Sequence, residues 1–274
     1  MLSASYTVRS VDAAFAAALA WHLAPFRRAS GDQHAVFVDL FVEEEDEGLQ
    51  PAPRSLYRGS LLRFKHPRLE KLVGHAVWDL HATVPKVSRD YLFLHAGSVA
   101  RDGHALVMPA AMDAGKSSLV VALLELGFGY LSDELGAIDP VTGRACPFPK
   151  RISLDDDALR HFPGLGDALV DPREAGVSLP QRFLRPEDVG AAVAEAAPPR
   201  WIVFLGTERS GPPRLEPVSR ADAVRRMAAN CFNLYRYQER GVVLLTRVGH
   251  EAEAFELRGG TPRERAALLA ERLT

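Results

Sequence analysis

An α/β fold with a mixed sheet, preceded by an N-terminal α+β region, is what this sequence predicts, and three observations predict it. Residues 104–109 form an apolar run that passes through Ala110-Ala111-Met112-Asp113-Ala114-Gly115-Lys116 into the helical stretch 117–126, which Gly127 stops. Turn signals flank that strand-loop-helix unit, Arg101-Asp102-Gly103 before it and residues 139–143 after it, so hairpins rather than simple strand-helix alternation are expected around it. Residues 1–88 lack such a unit and mix strand and helix patterns, which sets an expected boundary between residues 1–88 and 89–274.

The elements follow in order. Residues 6–11 and 35–42 alternate or run apolar like strands, 13–23 has helical periodicity, and 43–48 is an acidic turn. Residues 55–64 make a strand or hairpin, and 67–83 a helix with Leu69, Leu72, Val73, Ala76, Val77 and Leu80 on one side. This first region is expected to pack on the core and shape its mouth. Strands are expected at 92–100, 104–109, 128–132 and 135–138. Asp155, Asp156 and Asp157 fit a helix N-terminus, where acids offset the macrodipole. Residues 191–199 read as a linker or short helix, 201–205 as a strand, and Ser219 with Asp222 as a capping box opening a helix. Residues 262–273 look like a terminal helix with a charged outer face.

Composition narrows the function classes. With 274 residues, 47% hydrophobic content and a net charge of −2, the chain is an ordinary globular protein with no electrostatic case for nucleic acid or an acidic membrane. The long apolar N-terminal run, 13–23, is too short to span a bilayer. Cys146 and Cys231 lie far apart in no metal-like spacing, so both are expected to be reduced and structural in a cytoplasmic protein.

The 110–117 stretch has the makings of a phosphate-binding loop. Backbone N–H groups from about Met112 to Ser117 would surround a phosphate, helped by the partial positive charge of the helix start. Gly115 allows close backbone approach, Lys116 would reach the β- and γ-phosphates, and the Ser117 hydroxyl would bind Mg²⁺. The nucleotide contacts expected are Asp113, Ala114, Gly115, Lys116, Ser117 and Ser118. Ala110 stands where such loops usually open with glycine, and Asp113 where many kinases carry glycine; Asp tolerates a left-handed backbone, so the loop can close. A plain strand-to-helix turn is the alternative.

The run Leu94-His95-Ala96-Gly97-Ser98-Val99, the glycine turn, the loop and then Gly127-Phe-Gly-Tyr-Leu-Ser132-Asp133-Glu134 resemble the catalytic core of the HPr kinase/phosphorylase family. They are more closely similar to the HPr-kinase-like proteins found beside peptide-modification genes, including lasso-peptide kinases. The resemblance is strong over residues 91–154 and continues more weakly through 181–190 and 201–205. It implies a P-loop-containing HPr-kinase-like core with a mixed sheet. It also implies that Asp133 takes the proton of the attacking hydroxyl, that Glu134 joins Ser117 in holding the metal, and that His95 lies close to the acid pair. The glycine-containing signature that true HPr kinase/phosphorylases carry after the acid pair has no counterpart between Arg151 and Gly166, so neither the reverse reaction nor HPr as acceptor is expected.

The residues themselves leave alternatives open. Asp133 and Glu134 fit a strand end beside the loop strand, with both acids at the loop's edge, or the turn of a hairpin. His95 fits a hydrogen-bonded core histidine as well as a catalytic one. Lys150 and Arg151 are candidates for a phosphate clamp or for solvated surface. Arg182 and Arg185 fit a loop that closes over substrate, and Arg225 and Arg226 a solvated helix face. The expected function is an ATP- and Mg²⁺-dependent kinase acting on a hydroxyl, serine first, of a peptide or small protein. The alternatives are a small-metabolite hydroxyl kinase and a nucleotide-binding partner of a modification system that transfers nothing. Homo-oligomerisation is left open by the resemblance, because true HPr kinases form hexamers.

Overall fold

The computed structural model describes residues 4–10, 12–26, 36–44, 54–165 and 182–273. Val11, Ala35, residues 45–48 of the acidic turn, Gly166 and Gln181 lie outside the described residues. The chain divides into two compact units, Met1–Arg89 with Val170–Phe183, and Asp90–Leu169 with Leu184–Thr274.

The first unit holds a four-stranded sheet of β1 (Ala4–Ser10), β2 (Val36–Glu44), β3 (Arg54–Arg58) and β4 (Leu61–His66), in that order. β1 and β2 are parallel and the other neighbours antiparallel. Its helices are α1 (Ala13–Leu23) and α2 (Leu69–Val87). The Asp12 carboxylate caps α1 by accepting from Phe15 N. Phe15, Ala18 and Leu19 of α1 and Leu72, Val73, Ala76 and Leu80 of α2 share a core with Leu56. The predicted stripe on α2 is therefore its buried face, and the helix runs four residues past the expected end, through Pro85.

The second unit is α/β with a mixed eight-stranded sheet. Its strands are β5 (Leu92–Arg101), β6 (His104–Pro109), β7 (Gly129–Ser132), β8 (Leu135–Ile138), β9 (Ala145–Cys146), β12 (Pro199–Leu205), β13 (Arg214–Pro217) and β14 (Glu253–Arg258). The short strands β10 (Ile152–Leu154) and β11 (Arg182–Leu184) lie outside this sheet. The order is β13-β14-β12-β6-β5-β8-β9, with β7 also on β5. β6, β12 and β14 are mutually parallel and form the centre, while β13, β5, β7, β8 and β9 join antiparallel.

Helices cover both faces. α3 (Lys116–Glu125) and α7 (Pro262–Arg272) pack on the side to which Leu106 and Met108 point, with Val203 and Leu205. α5 (Arg220–Ala229) and α6 (Leu234–Glu251) cover Ala105, Val107, Ile202 and Phe204 on the other. The alternation of β6 side chains between two apolar layers explains why its sequence is continuously hydrophobic. The α4 turn (Asp156–Leu159) is capped by Asp155, as its acidic start predicts. Ser219 caps α5 by accepting from Asp222 N, but Asp222 turns its own carboxylate to Arg225, so only half of the expected capping box forms. Residues 191–198 are not helical; Val193 and Ala197 make single bridges to Tyr130 and Ala145.

Candidate functional site

The loop is built from the end of β6 to the start of α3. Arg101, Asp102, Gly103 and His104 turn β5 into β6, with Asp102 at φ 52° and Gly103 at φ 77°, the left-handed pair that a two-residue hairpin turn requires. β6 ends at Pro109, and the chain passes through residues 110–115 before α3 begins at Lys116. Gly115 caps α3 at φ 82°, and Asp113 takes φ 58°. The expectation that aspartate could stand in for glycine by adopting left-handed backbone is met at Asp113, whose side chain is exposed.

Lys116 lies folded over the loop. Its Nζ donates to the carbonyls of Ala110 (3.1 Å) and Ala111 (2.7 Å), and the side chain is buried. Burial lowers its pKa to about 8, against the opposing pull of the Glu134, Asp133 and Asp113 carboxylates. Gly97 of β5 leaves the room it needs: a Cβ there would stand 3.0 Å from Val120 Cγ2 and 3.6 Å from Lys116 Cβ. The glycine of the Leu-His-Ala-Gly-Ser-Val run thus lets α3 settle onto the sheet.

The acid pair arrives by a route the sequence did not suggest. Its strand does not lie directly beside the loop strand; β5 stands between them, pairing with β6 on one side and with β7 and β8 on the other. Nor do the acids form a hairpin turn. β7 and β8 run in the same direction along β5, and Asp133 and Glu134 occupy the break between them. The register still brings the acids to the loop. Ala96 pairs with Pro109, Ala96 N donates to Glu134 O (3.1 Å), and Ala110 N donates to His95 O (3.1 Å). His95 and Ala96 therefore tie the loop start and the acid pair to one level of the sheet.

Asp133 is saturated with donors. Ser117 Oγ donates to its Oδ2 (2.8 Å), Tyr130 OH donates to its Oδ1 (2.8 Å), and Lys150 Nζ lies 3.0 Å from Oδ2 and 2.9 Å from Oδ1. Lys150 is itself buried, and its Nζ stands 3.6 Å from Glu134 Oε2. Burial alone would lower the Lys150 pKa, but the charges of Asp133 and Glu134 prevail and raise it, so the ammonium is retained. Tyr130 is fully buried, and burial together with the Asp133 charge raises its pKa well above the ordinary value, keeping the phenol a donor. Glu134 differs: its side chain is 40% exposed, and Lys150 is its ion-pair partner. His95 is half-buried, 5.3 Å from the Phe232 ring between centroids, and burial followed by the Lys116 charge lowers its pKa to about 4. It is a neutral imidazole at pH 7.

The remaining predicted residues separate. Lys150 joins the acids, held by the segment 147–150, in which Phe148 N donates to Leu131 O (2.8 Å) and Lys150 N to Phe148 O (2.8 Å). Arg151 contributes its carbonyl, 3.2 Å from Lys150 Nζ, while burial and then the Arg185 charge lower its own pKa. Arg185 is committed to Asp188 at 2.6 Å. Ser118 is buried on α3 behind the loop. Two residues of the site escaped sequence reading. Tyr130 looks like any core aromatic in an apolar strand, and Arg209, whose guanidinium donates to Ala114 O at 2.7 Å, comes from a loop 95 residues away.

No family model matches the chain, and no curated protein does. Among the described residues, no group of three His, Cys, Asp or Glu side chains is arranged to hold a metal ion, and no helix is long and apolar enough to cross a membrane.

Proposed function

We propose that the protein is an ATP- and Mg²⁺-dependent kinase that transfers the γ-phosphoryl group to a hydroxyl, serine first, of a peptide or small protein. The observation that carries the reading is the 2.8 Å bond from Ser117, the loop hydroxyl, to Asp133. A glycine-capped helix start that can wrap a phosphate and an acid reaching the loop's own hydroxyl are the two halves of a phosphoryl-transfer site. The likeness of residues 91–154 to HPr-kinase-like proteins supports the same reading. The oxygen donors Ser117, Asp133 and Glu134 fit Mg²⁺, which takes one or two carboxylates and completes its shell with substrate phosphates rather than with a full protein cage. When bound, the cation supplies neutralisation of charge on the β- and γ-oxygens.

In the reaction, the acceptor oxygen forms a bond to the γ-phosphorus, the bond from γ-phosphorus to the β–γ bridging oxygen breaks, and the hydroxyl proton passes to a carboxylate. The resemblance gives that proton to Asp133. A specific observation favours Glu134: both Asp133 oxygens are already engaged by Ser117, Tyr130 and Lys150, whereas Glu134 is 40% exposed. In this division Asp133 orients Ser117 and the cation, and Glu134 takes the proton.

Incubation with γ-labelled ATP, Mg²⁺ and peptide or metabolite fractions tests the reading. Label on a peptide supports it; label on a metabolite keeps the kinase and changes its acceptor. ATP binding without transfer to any fraction sinks the kinase and leaves the non-catalytic nucleotide-binding module. Glu134→Gln and Asp133→Asn divide the roles. Proton acceptance by Glu134 predicts that Glu134→Gln keeps ATP and Mg²⁺ affinity while transfer falls about 10²–10⁴-fold, and that Asp133→Asn weakens Mg²⁺ binding as well.

A further inference from the structure

Arg209 sits in the loop after β12, and its position is engineered from both sides. Gly206 N donates to Leu257 O (2.9 Å), Gly259 N to Glu208 O (3.1 Å) and Gly260 N to Gly211 O (2.9 Å), which lock this loop to the turn after β14. Arg265, buried on α7, donates to Glu208 O (2.8 Å) and Gly259 O (2.5 Å), spending a buried guanidinium on holding the loop backbone. Because β12 is parallel to β6, this loop leaves the sheet at the same edge as the 110–115 loop. That edge, outside the carboxyl ends of parallel strands, is where open α/β sheets bind ligands.

At that edge Arg209 has a geometry suited to an anion. One Nη donates to Ala114 O, and the other stands 3.7 Å from where a Cβ on Gly115 would be. No carboxylate pairs with Arg209 among the described residues, in contrast to Arg214 on Glu208 and Arg258 on Glu216 and Glu256. A guanidinium has five N–H donors, so most of its capacity is unspent. It also stands close enough to Arg265 to oppose that residue's charge. A guanidinium beside the glycine-capped loop, with no carboxylate paired to it among the described residues, is an arrangement that a bound anion relieves.

We propose that Arg209 is a phosphate-binding residue of the nucleotide site, its guanidinium oriented by the Ala114 carbonyl and its remaining donors directed at the polyphosphate held by residues 113–117. The inference rests on the nucleotide reading above and adds to it a cation supplied by a distant part of the chain. Lys116 is a point charge from within the loop, whereas Arg209 offers a planar fork from across it, the shape that matches two phosphate oxygens at once.

Calorimetric titration of the 274-residue chain with ATP, pyrophosphate and adenosine tests it, using wild type, Arg209→Ala, Arg209→Lys and Arg209→Gln. The expected result is a loss of about tenfold or more in ATP and pyrophosphate affinity for the Ala and Gln variants, with part of it restored by Lys. Adenosine affinity and melting temperature should not change, and the salt dependence of pyrophosphate binding should be shallower without the charge. Gln can still donate to Ala114 O without carrying charge. Affinity restored by Gln would mean that Arg209 merely braces the loop, which overturns the proposal. Unchanged pyrophosphate affinity in Arg209→Ala would overturn it while leaving the nucleotide reading intact. Wild type that binds neither ATP nor pyrophosphate would overturn both.

Discussion

Each unit of this protein buries an aspartate against cations, and only one of the two looks like chemistry. In the first unit Asp79 of α2 meets Arg63 of β4 at 2.6 Å and Arg58 of β3 at 3.4 Å, while Arg58 also donates to Thr83. In the second, Asp133 meets Lys150, Ser117 and Tyr130. Both aspartates are 2% exposed. The difference is in their company. Asp79 lies inside a helix and joins it to the hairpin beside it; one of its oxygens, Oδ2, has no hydrogen-bond partner. Asp133 lies at a break in a strand line, level with the end of β6, and besides the Tyr130 phenol its partners are a loop hydroxyl and a retained ammonium. A buried ion-paired acid is by itself a packing device; it becomes a candidate site when a loop with a glycine-capped helix start stands beside it.

The largest effect should fall on transfer. Lys116→Ala removes the cation proposed to reach the phosphates and should lower phosphoryl transfer by about 10³-fold or more, on the scale of losing a key electrostatic contact to a developing charge. Asp79→Asn should leave the specific activity of the folded protein unchanged. Rates from γ-labelled ATP, normalised to folded protein, check the pair, and an equal loss in both would break the distinction between the two units.

Stability should separate them in a second way. Removing Asp133 leaves the Lys150 ammonium, whose side chain is 7% exposed, stranded but for Glu134 at 3.6 Å, whereas Arg58 and Arg63 are about a quarter exposed and can turn to water. Asp133→Ala should therefore cost about 3–5 kcal/mol, and Asp79→Ala about 1–3 kcal/mol. Urea unfolding measures both. Asp133→Ala with Lys150→Met should recover most of the first loss, because the stranded charge goes with its partner.

Much of this contrast was written in the local sequence. The strand, loop and helix over 104–126, the turns at 101–103 and 139–143, and the stripe on α2 are short-range patterns, and the structure has them close to where the periodicity puts them. The meeting of Lys150, Tyr130 and Asp133 was harder to see because it depends on how 147–150 lies along β7, a long-range docking with no periodic signature. The insertion of β5 between the loop strand and the acid strand is likewise a choice of sheet order, to which alternation is blind. α6 went unnoticed for a different reason. It is broken at Gln238 (φ 49°) and contains Gly241 and Gly249, signals that read as turns, although Leu244, Leu245 and Val248 line one buried face.

A third contrast is in pH. Lys116 has its pKa lowered to about 8 in the fold, from an ordinary 10.5, so from pH 8 to 10.5 the unfolded chain holds a proton that the folded chain has released. Stability from this group rises with pH through that window, and the cost of the buried ammonium is fully present below pH 8. Phosphate reverses the balance by favouring the ammonium. ATP affinity should be flat below pH 8 and fall by about tenfold per unit above it, with proton uptake on binding. Titration in buffers of different ionisation enthalpy measures that uptake. Lys116→Met should abolish both the slope and the uptake, and a slope that survives in that variant would assign the proton to another group.

The smallest effect concerns the backbone that sets the two acids apart. Asp113 already adopts φ 58°, so Asp113→Gly relieves left-handed strain while loosening the unfolded chain, two terms of similar size and opposite sign. Its stability should stay within about 0.5 kcal/mol of wild type. Gly115→Ala should cost about 1–2 kcal/mol from backbone conformation, because the nearest atom to the added Cβ is Arg209 Nη1 at 3.7 Å, an ordinary contact. Pyrophosphate binding should survive Asp113→Gly, since Asp113 already holds the left-handed backbone that glycine would take. Should Gly115→Ala be as stable as wild type, the left-handed cap would not be holding the loop open, and the geometry that distinguishes Asp133 from Asp79 would need another source.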